Sequence, residues 1–271
     1  MSNEHSKSKN YLFIIDPQND FHVGGSLGVP GAHEDSSRIA KFIRSNISLI
    51  DGIYVSLDSH HRLHIAHSVF WKNASGEHPP HFTLIRSSDI EEGTWTPVDS
   101  SLFEYALSYA KALEEQGRFV ICIWPEHCLI GTEGHAVVSV LNEALQEWSA
   151  YQMKTINYIH KGMNCLTEMY SAIKAEVPVI NDPSTKLNRA LLSDLSQANK
   201  LIFCGEAKSH CVNYTMRDVA AHWEKEMSSL YLLNNCTSAV PGFEEAANIF
   251  EKDMKDLGCQ VVLHHEMNLR S

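Results

Sequence analysis

Short apolar runs alternate with amphipathic helical segments along most of this chain, and that alternation constrains its fold more than any other feature. Apolar runs of strand length occur at 11–15, 53–57, 119–124, 156–159, 201–204, 230–233 and 260–263. Amphipathic segments between them predict helices near 36–47, 101–116, 135–148, 168–175, 186–198, 212–225 and 243–257. Strands that alternate with helices in this way predict a mostly parallel sheet that is covered by helices on both faces.

Length and composition limit the class of protein further. The chain has 271 residues, which fits one α/β domain with a large core, and no repeat or linker divides it. A net charge of −11 argues against partners that are nucleic acids or anionic membranes. No stretch approaches the roughly 18 apolar residues of a membrane span. Seven irregularly spaced cysteines, without a CxxC pair, indicate reduced thiols in a cytoplasmic protein.

The amino-terminal residues differ in character from the rest of the chain. Residues 1–10 are polar and lack the apolar core of a signal peptide. We therefore expect a disordered tail over residues 1–10, followed by a single domain over residues 11–271.

Reactive side chains follow four of the predicted strands at the point where each strand ends. Asp16, Asp58 and Lys161 come at the ends of three apolar runs, and Cys211 comes shortly after a fourth. In open parallel sheets, ligands bind in the crevice beyond the carboxyl ends of the strands. Helix capping explains one such carboxylate equally well, but it does not easily explain four reactive groups in the same position. The sequence therefore predicts an active-site crevice that contains all four.

Cys211 is the predicted nucleophile of this crevice. It stands at the start of a predicted helix, where unpaired N–H groups and the helix dipole favour thiolate over thiol. A lone buried cysteine is more often a small apolar packing residue, so its predicted neighbours Asp16 and Lys161 favour the catalytic alternative. Asp16 would take the thiol proton, and Lys161 would hold both partners in their charged forms. The N–H groups of Ala207 and Cys211 are the predicted oxyanion donors.

A metal site is predicted from a histidine-rich stretch. Six of the sixteen histidines fall between 60 and 81, and Asp58 and His60 lie on the same side of an extended chain. His127 follows the predicted strand at 119–124 and would supply a third ligand to an open, catalytic metal site. The alternative is that the histidines at 60, 61, 64 and 67 lie on the protein surface.

The ordered set of these motifs resembles the nicotinamidases, within the isochorismatase-like cysteine hydrolases. The matching segments are Asp16-Pro17-Gln18-Asn19-Asp20-Phe21, Asp58-Ser59-His60, Trp124-Pro125-Glu126-His127, Lys161-Gly162, Gly205-Glu206-Ala207 and Cys211-Val212. They span residues 11–263 in the order that the family has. The resemblance implies a three-layer α/β/α fold, an isochorismatase-like and Rossmann-like architecture with a predominantly parallel central sheet.

The resemblance also implies an activity and a set of site residues. It implies an amidohydrolase that converts nicotinamide, and also pyrazinamide, to the acid and ammonia through a cysteine thioester. The implied catalytic triad is Asp16, Lys161 and Cys211, and the implied metal ligands are Asp58, His60 and His127. The metal would be one divalent ion, with zinc favoured over iron or manganese, and it would position the pyridine ring. Phe21, Trp124 and His210 would contact the substrate, and the Glu206–Ala207 peptide would be cis.

Three departures from the family pattern leave the substrate open. The segment near 61–118 is enlarged and carries an extra helix, and residues 61–96 would be either a cover over the pocket or a solvated loop. His210 stands where many relatives have an aromatic residue such as Tyr, and Glu206 stands where a small apolar residue is usual. The alternatives are an isochorismatase-like or other small-amide cysteine hydrolase of this fold with a different substrate, or a catalytically silent binding module. A role in NAD salvage follows from the resemblance, which leaves homo-oligomer formation open.

Overall fold

The computed structural model describes residues 8–270. In that range the strands are β1 Asn10–Ile15, β2 Gly52–Asp58, β3 Trp71–Lys72, β4 Leu84–Ile85, β5 Thr96–Pro97, β6 Ile121–Cys122, β7 Asn157–Lys161, β8 Lys200–Gly205, β9 Leu230–Leu233 and β10 Gln260–Val262. The α-helices are α1 Ala32–Ser45, α2 Ser87–Glu91, α3 Phe103–Glu115, α4 Ser139–Gln152, α5 Arg189–Leu195, α6 Cys211–Ala220 and α7 Glu244–Asp256. No helix among these residues has the length and apolar character that crossing a membrane requires.

The central sheet is parallel throughout, and its order is β10-β9-β8-β1-β2-β7 among the residues described. Its register brings the ends of the strands together, because Ile15 is paired with Gly205 and Asp58 is paired with Lys161. The prediction of a parallel sheet between helical layers is therefore confirmed. Side chains that follow β1, β2, β7 and β8 emerge at one edge of the sheet.

The core lies on both faces of the sheet. Successive residues of β1 point to opposite faces, as they must in a strand. Leu12 and Ile14 pack in one apolar cluster with residues of α1 and α4, whereas Phe13 and Ile15 pack in another with residues of α6 and α7. Because both faces are covered, the sequence of β1 is a continuous apolar run and does not alternate between apolar and polar residues.

The enlarged segment at 61–118 has an apolar cluster of its own. Phe70 and Trp71 are buried there against α3. The Oη of Tyr105 donates to the carbonyl of Leu166 at 2.8 Å, and the Oη of Tyr109 accepts from the N–H of Glu168 at 2.9 Å. A wholly solvated loop at 61–96 is therefore ruled out, while a cover over the pocket stays a prediction.

Two predicted elements are wrong. The run at 119–124 forms only the short β6, which pairs antiparallel with β4 and lies outside the central sheet. An apolar run does not specify its partner strand, and here the insertion supplies one. Residues 168–175 form an irregular, bent segment instead of a helix, because their N–H groups donate to side chains: that of Ala172 to Thr215 and that of Ile173 to Ser171.

The predicted tail is only partly tested. Residues 1–7 lie outside the described residues. Asn10 begins β1 and is buried, with its side chain donating to the carbonyls of Leu49 and Leu269. Asn10 therefore belongs to the fold and not to the predicted tail, because the edge of the fold provides hydrogen-bond partners for this polar residue.

The buried face of α4 generates a stability prediction. Trp148 is fully buried and its Nε1 donates to the carbonyl of Ile50 at 3.1 Å. Trp148→Ala should lower the free energy of unfolding by about 3–5 kcal/mol, because the cavity and the lost apolar contacts add. Tyr151→Ala on the same helix is the matched control, since Tyr151 is 61% exposed and should cost well under 1 kcal/mol. Urea denaturation measures both, and equal losses would contradict this account of the core.

Candidate active site

The four reactive side chains predicted at the strand ends meet in the structure. The ammonium of Lys161 lies 2.8 Å from Asp16 Oδ2, 3.0 Å from Asp58 Oδ1 and 3.4 Å from Cys211 Sγ. It also donates to the carbonyl of Met169 at 3.2 Å. Lys161 is 1% exposed, so these contacts replace its hydration shell.

Opposite charges keep the Lys161 ammonium protonated. Burial alone would lower the pKa of Lys161, but the carboxylates of Asp16 and Asp58 raise it well above its usual value. Burial raises the pKa of Asp16, and the Lys161 ammonium offsets part of that rise. Asp16 has a φ of 43°, a conformation that is uncommon for residues other than glycine, and Ser56 Oγ donates to its Oδ1 at 2.6 Å. The Asp16 carboxylate is thus a fixed group with raised basicity.

Cys211 is the first residue of α6, as the sequence predicts, but its protonation state differs from the prediction. Burial raises the pKa of the Cys211 thiol well above its usual value, and the Lys161 ammonium lowers it by less. The carboxylates of Asp16 and Asp58 raise it further. These surroundings therefore favour the thiol over the thiolate, because burial and two nearby carboxylates outweigh one ammonium.

The loop before Cys211 has the conformation that the resemblance implies. The Glu206–Ala207 peptide is cis. Gly205 precedes it with a φ of 105°, and a Cβ there would lie 2.1 Å from the carbonyl oxygen of Ile15. Only glycine fits against β1 at this point. The N–H of Cys211, at the first position of α6, has no acceptor within its own helix.

Glu206 connects this loop to α1. Its Oε2 accepts from the N–H of Ser238 at 3.2 Å, and Ser238 Oγ donates to Asp35 Oδ2 at 2.5 Å. The N–H of Lys208 donates to the carbonyl of Ser238 at 2.7 Å. Burial, and next the negative charge of Asp35, raise the pKa of Glu206 well above its usual value. The raised pKa favours the neutral form of this carboxyl group, which lowers the cost of burying it.

The predicted metal ligands also converge. Asp58 Oδ2 lies 3.0 Å from His60 Nε2 and 3.3 Å from His127 Nε2. His127 Nδ1 lies 2.7 Å from the carbonyl of Pro125, so Nδ1 carries the proton and Nε2 is free to bind a metal. Each of the three residues offers a ligand atom within 4.8 Å of the others. A Cβ at Gly162 would lie 2.8 Å from Asp58 Oδ1, so this site needs a glycine beside it.

Sequence reasoning missed His67 as a candidate ligand. His64 and His67 are fully buried, so the surface alternative holds only for His61. Both ring nitrogens of His64 are hydrogen-bonded, to the N–H of Ala66 and the carbonyl of Thr167. His67 Nδ1 bonds the carbonyl of Arg62, whereas its Nε2 is buried with no hydrogen-bond partner among residues 8–270. The ring of His67 lies 5.3 Å from His60 and 5.9 Å from His127.

An aromatic cavity opens beside Cys211. The predicted wall residues Phe21 and Trp124 line it, as does His210. Tyr170, which sequence reasoning missed, also lines this cavity, and its Oη accepts from Trp124 Nε1 at 3.1 Å. No periodic pattern marks Tyr170, because it lies in a buried irregular segment rather than in a helix or strand. The aromatic lining suits a flat ring whose substituent lies at the thiol.

The fold defines a structural class, a three-layer α/β/α architecture with a parallel central sheet between layers of helices. Solved structures of nicotinamidases share this fold. An Acinetobacter baumanii nicotinamidase and pyrazinamidase superposes with a TM-score of 0.64 at 17% identity, over 96% of this chain and 99% of that one. The yeast nicotinamidase Pnc1p gives 0.63 at 21% identity, over 93% and 99%.

A third structure, a Pyrococcus horikoshii pyrazinamidase in complex with zinc, gives a TM-score of 0.58 at 20% identity, over 94% of this chain and 99% of that one. No protein-family model and no curated protein matches the chain. At these identities the superpositions establish the fold.

Glu206 generates a prediction about stability and pH. Because its folded pKa is raised, the folded protein keeps a proton that the unfolded chain releases above pH ~4.3. Stability should therefore fall as pH rises from that value towards the folded pKa. Glu206→Gln removes this loss, so its advantage over the wild type should grow by up to about 1.4 kcal/mol per pH unit. Urea denaturation at pH 5, 6 and 7 checks this, and parallel stability curves would contradict it.

Proposed function

We propose that this protein is a cysteine amidohydrolase of the nicotinamidase type, which converts nicotinamide to nicotinate and ammonia. The observation that carries the proposal is the simultaneous contact of Lys161 with Asp16, Asp58 and Cys211. A buried nucleophile, a base of raised pKa and an ammonium between them are what amide hydrolysis by a thiol requires. The aromatic cavity beside Cys211 supports a flat ring as the acyl group.

The first half of the reaction forms the thioester. Asp16 accepts the Cys211 proton as Sγ attacks the carboxamide carbon, and the carbonyl oxygen becomes an oxyanion that accepts from the N–H groups of Ala207 and Cys211. Collapse of this intermediate breaks the C–N bond. Asp16 returns its proton to the leaving nitrogen, so ammonia departs and a thioester remains.

The second half reverses these proton movements. Asp16 takes a proton from a water molecule, whose oxygen attacks the thioester carbon. The C–S bond breaks, nicotinate leaves, and Sγ regains the proton from Asp16. One group acts as base and then as acid in each half, so no histidine is needed.

Lys161 compensates the charge that moves between these groups. Before attack the negative charge resides on Asp16, and during proton transfer it passes to the Cys211 sulfur and the substrate. The ammonium contacts both positions, at 2.8 Å and 3.4 Å, so neither state leaves an unpaired buried charge.

We infer that Asp58, His60 and His127 hold one divalent metal ion, with His67 as a further ligand. The donor set fits a divalent metal ion, because it combines one carboxylate with imidazole nitrogens that have no other bonding role. The partnerless Nε2 of His67 supports this inference. When bound, the ion would accept the pyridine nitrogen and orient the carboxamide towards Cys211. Zinc as the metal and a role in NAD salvage rest on the resemblance, and a cytoplasmic location rests on the seven free cysteines.

The triad generates a kinetic prediction. Asp16→Ala, Lys161→Ala and Cys211→Ala should each lower kcat for nicotinamide at least about a thousand-fold, and double variants should be scarcely worse, because the three act as one unit. Cys165→Ala is the matched control, since Cys165 is a free thiol outside the site. Ammonia release measures the rates, and a Cys211→Ala variant that kept a tenth of the activity would end the thioester mechanism.

The metal ligands generate a prediction about substrate choice. Benzamide lacks the ring nitrogen, so its kcat/KM should be roughly 10²–10³-fold below that of nicotinamide in the metal-loaded protein. His60→Ala should lower the bound metal content and shrink this ratio, while Cys211 stays open to alkylation. His61→Ala is the control, because His61 is exposed and should keep both metal and ratio.

Metal analysis and the two kcat/KM values decide the outcome. Equal rates for the two amides in the metal-loaded wild type would make the ion structural and would favour another small-amide hydrolase of this fold. Hydrolysis of neither amide, with an intact fold, would favour a binding module.

A further inference from the structure

His210 lies on the wall of the cavity beside Cys211. It directly precedes the nucleophile, and its ring lies among three aromatic rings: 4.7 Å from Phe243, 5.2 Å from Trp124 and 5.4 Å from Tyr170. The side chain is 8% exposed and lines the same cavity as Cys211. A polar ring in such apolar surroundings raises the question of where its two nitrogens find partners.

Hydrogen bonds around Ser209 determine which ring nitrogen carries the proton. Ser209 Oγ accepts from the N–H of Val240 at 3.1 Å and lies 2.9 Å from His210 Nδ1. Ser209 is buried, and its hydroxyl proton has no other acceptor among the described residues. If Nδ1 carried a proton and donated it to Oγ, the hydroxyl proton would be buried without a partner. Oγ–H therefore donates to Nδ1, which must be unprotonated.

The remaining proton is on Nε2. Burial lowers the pKa of His210 to about 4, so the imidazole is neutral at pH 7 and carries one ring proton. With Nδ1 acting as an acceptor, that proton belongs to Nε2. No described residue accepts a hydrogen bond from Nε2, although the rest of the ring is packed and Nδ1 is bonded. The wall of the cavity thus has a fixed N–H donor without a partner from the protein.

We propose that the Nε2–H of His210 selects aromatic carboxamides that carry a second hydrogen-bond acceptor on the ring, such as a hydroxyl oxygen, an oxo oxygen or a second ring nitrogen. The inference rests on the proposed function, because the carboxamide must lie at Cys211 for the ring to reach His210. A substrate whose ring edge carries only C–H groups leaves this donor unpaired when bound, which weakens its binding. A substrate with an acceptor at that edge pairs with the donor and binds without this penalty.

Matched pairs of substrates test the proposal. Methoxy and ethyl groups are similar in size, so methoxy- and ethylnicotinamides substituted at position 2, 5 or 6 differ mainly in accepting a hydrogen bond. At the position that faces His210, the methoxy compound should have a kcat/KM roughly 10–100-fold above the ethyl compound. His210→Phe should remove this preference, and His210→Gln, which keeps an N–H donor, should restore part of it. Ser209→Ala should shrink it, because Nδ1 then has no fixed donor.

Phe243→Leu is the control for shape. It changes the ring that lies against His210 but leaves the donor in place, so both rates should change and their ratio should persist. A ratio that falls as much in Phe243→Leu as in His210→Phe would show that the preference comes from packing, and it would overturn the proposal.

Calorimetric binding of the same pairs to the Cys211→Ala protein separates this inference from the proposed function. A binding preference that depends on His210, without ammonia release by the wild type, would support the donor and contradict the amidase. Hydrolysis of nicotinamide without a His210-dependent preference at any of the three positions, in kcat/KM and in binding, would overturn the donor and leave the amidase standing.

Discussion

The structure of the site depends on one buried ammonium group. Lys161 is 1% exposed, and its charge is tolerable only because Asp16 and Asp58 lie within 3.0 Å of it. Loss of either carboxylate would leave uncompensated charge in the interior, which is far costlier than loss of a surface pair. The three residues come from β1, β2 and β7, so the register of these strands and the charge balance of the site require each other. A shift of one residue in any of these strands would direct its charged group away from the others.

Asp58 joins the two halves of the site. Its Oδ1 accepts from Lys161, whereas its Oδ2 faces His60 and His127. A single carboxylate therefore balances part of the triad's positive charge and part of any charge held by the histidines. Its pKa is well below the usual value despite burial, because His60 and Lys161 both favour the charged form. A metal ion held by Asp58, His60 and His127, as proposed above, would therefore influence the charge balance of Asp16 and Lys161 through Asp58.

Sequence reasoning found the residues of the site better than the elements that carry them. The strand ends at Asp16, Asp58 and Lys161 were predictable, because continuous apolar runs mark the parallel strands and the geometry of such sheets fixes where their ends meet. His127 reaches the site for a different reason than the predicted one. Its segment follows β6, which lies outside the central sheet, and is held by an N–H donated from His60 to the carbonyl of Cys128. The raised pKa of the Cys211 thiol was not predictable, since burial depends on packing that a linear pattern does not show.

The two unusual residues beside the nucleophile illustrate how a polar group survives in an apolar place. The pKa of Glu206 is raised, which favours its neutral form, and its Oε2 accepts from the N–H of Ser238, although its Oε1 has no hydrogen-bond partner among the described residues. For His210, Ser209 is the partner of Nδ1, while Nε2 has no partner from the protein. The difference is one of position: Glu206 lies against Ser238, whereas His210 lines the cavity beside Cys211. A ligand that fills the cavity and excludes water would leave this donor unpaired unless it offers an acceptor, so the wall favours a ring with an acceptor on its edge.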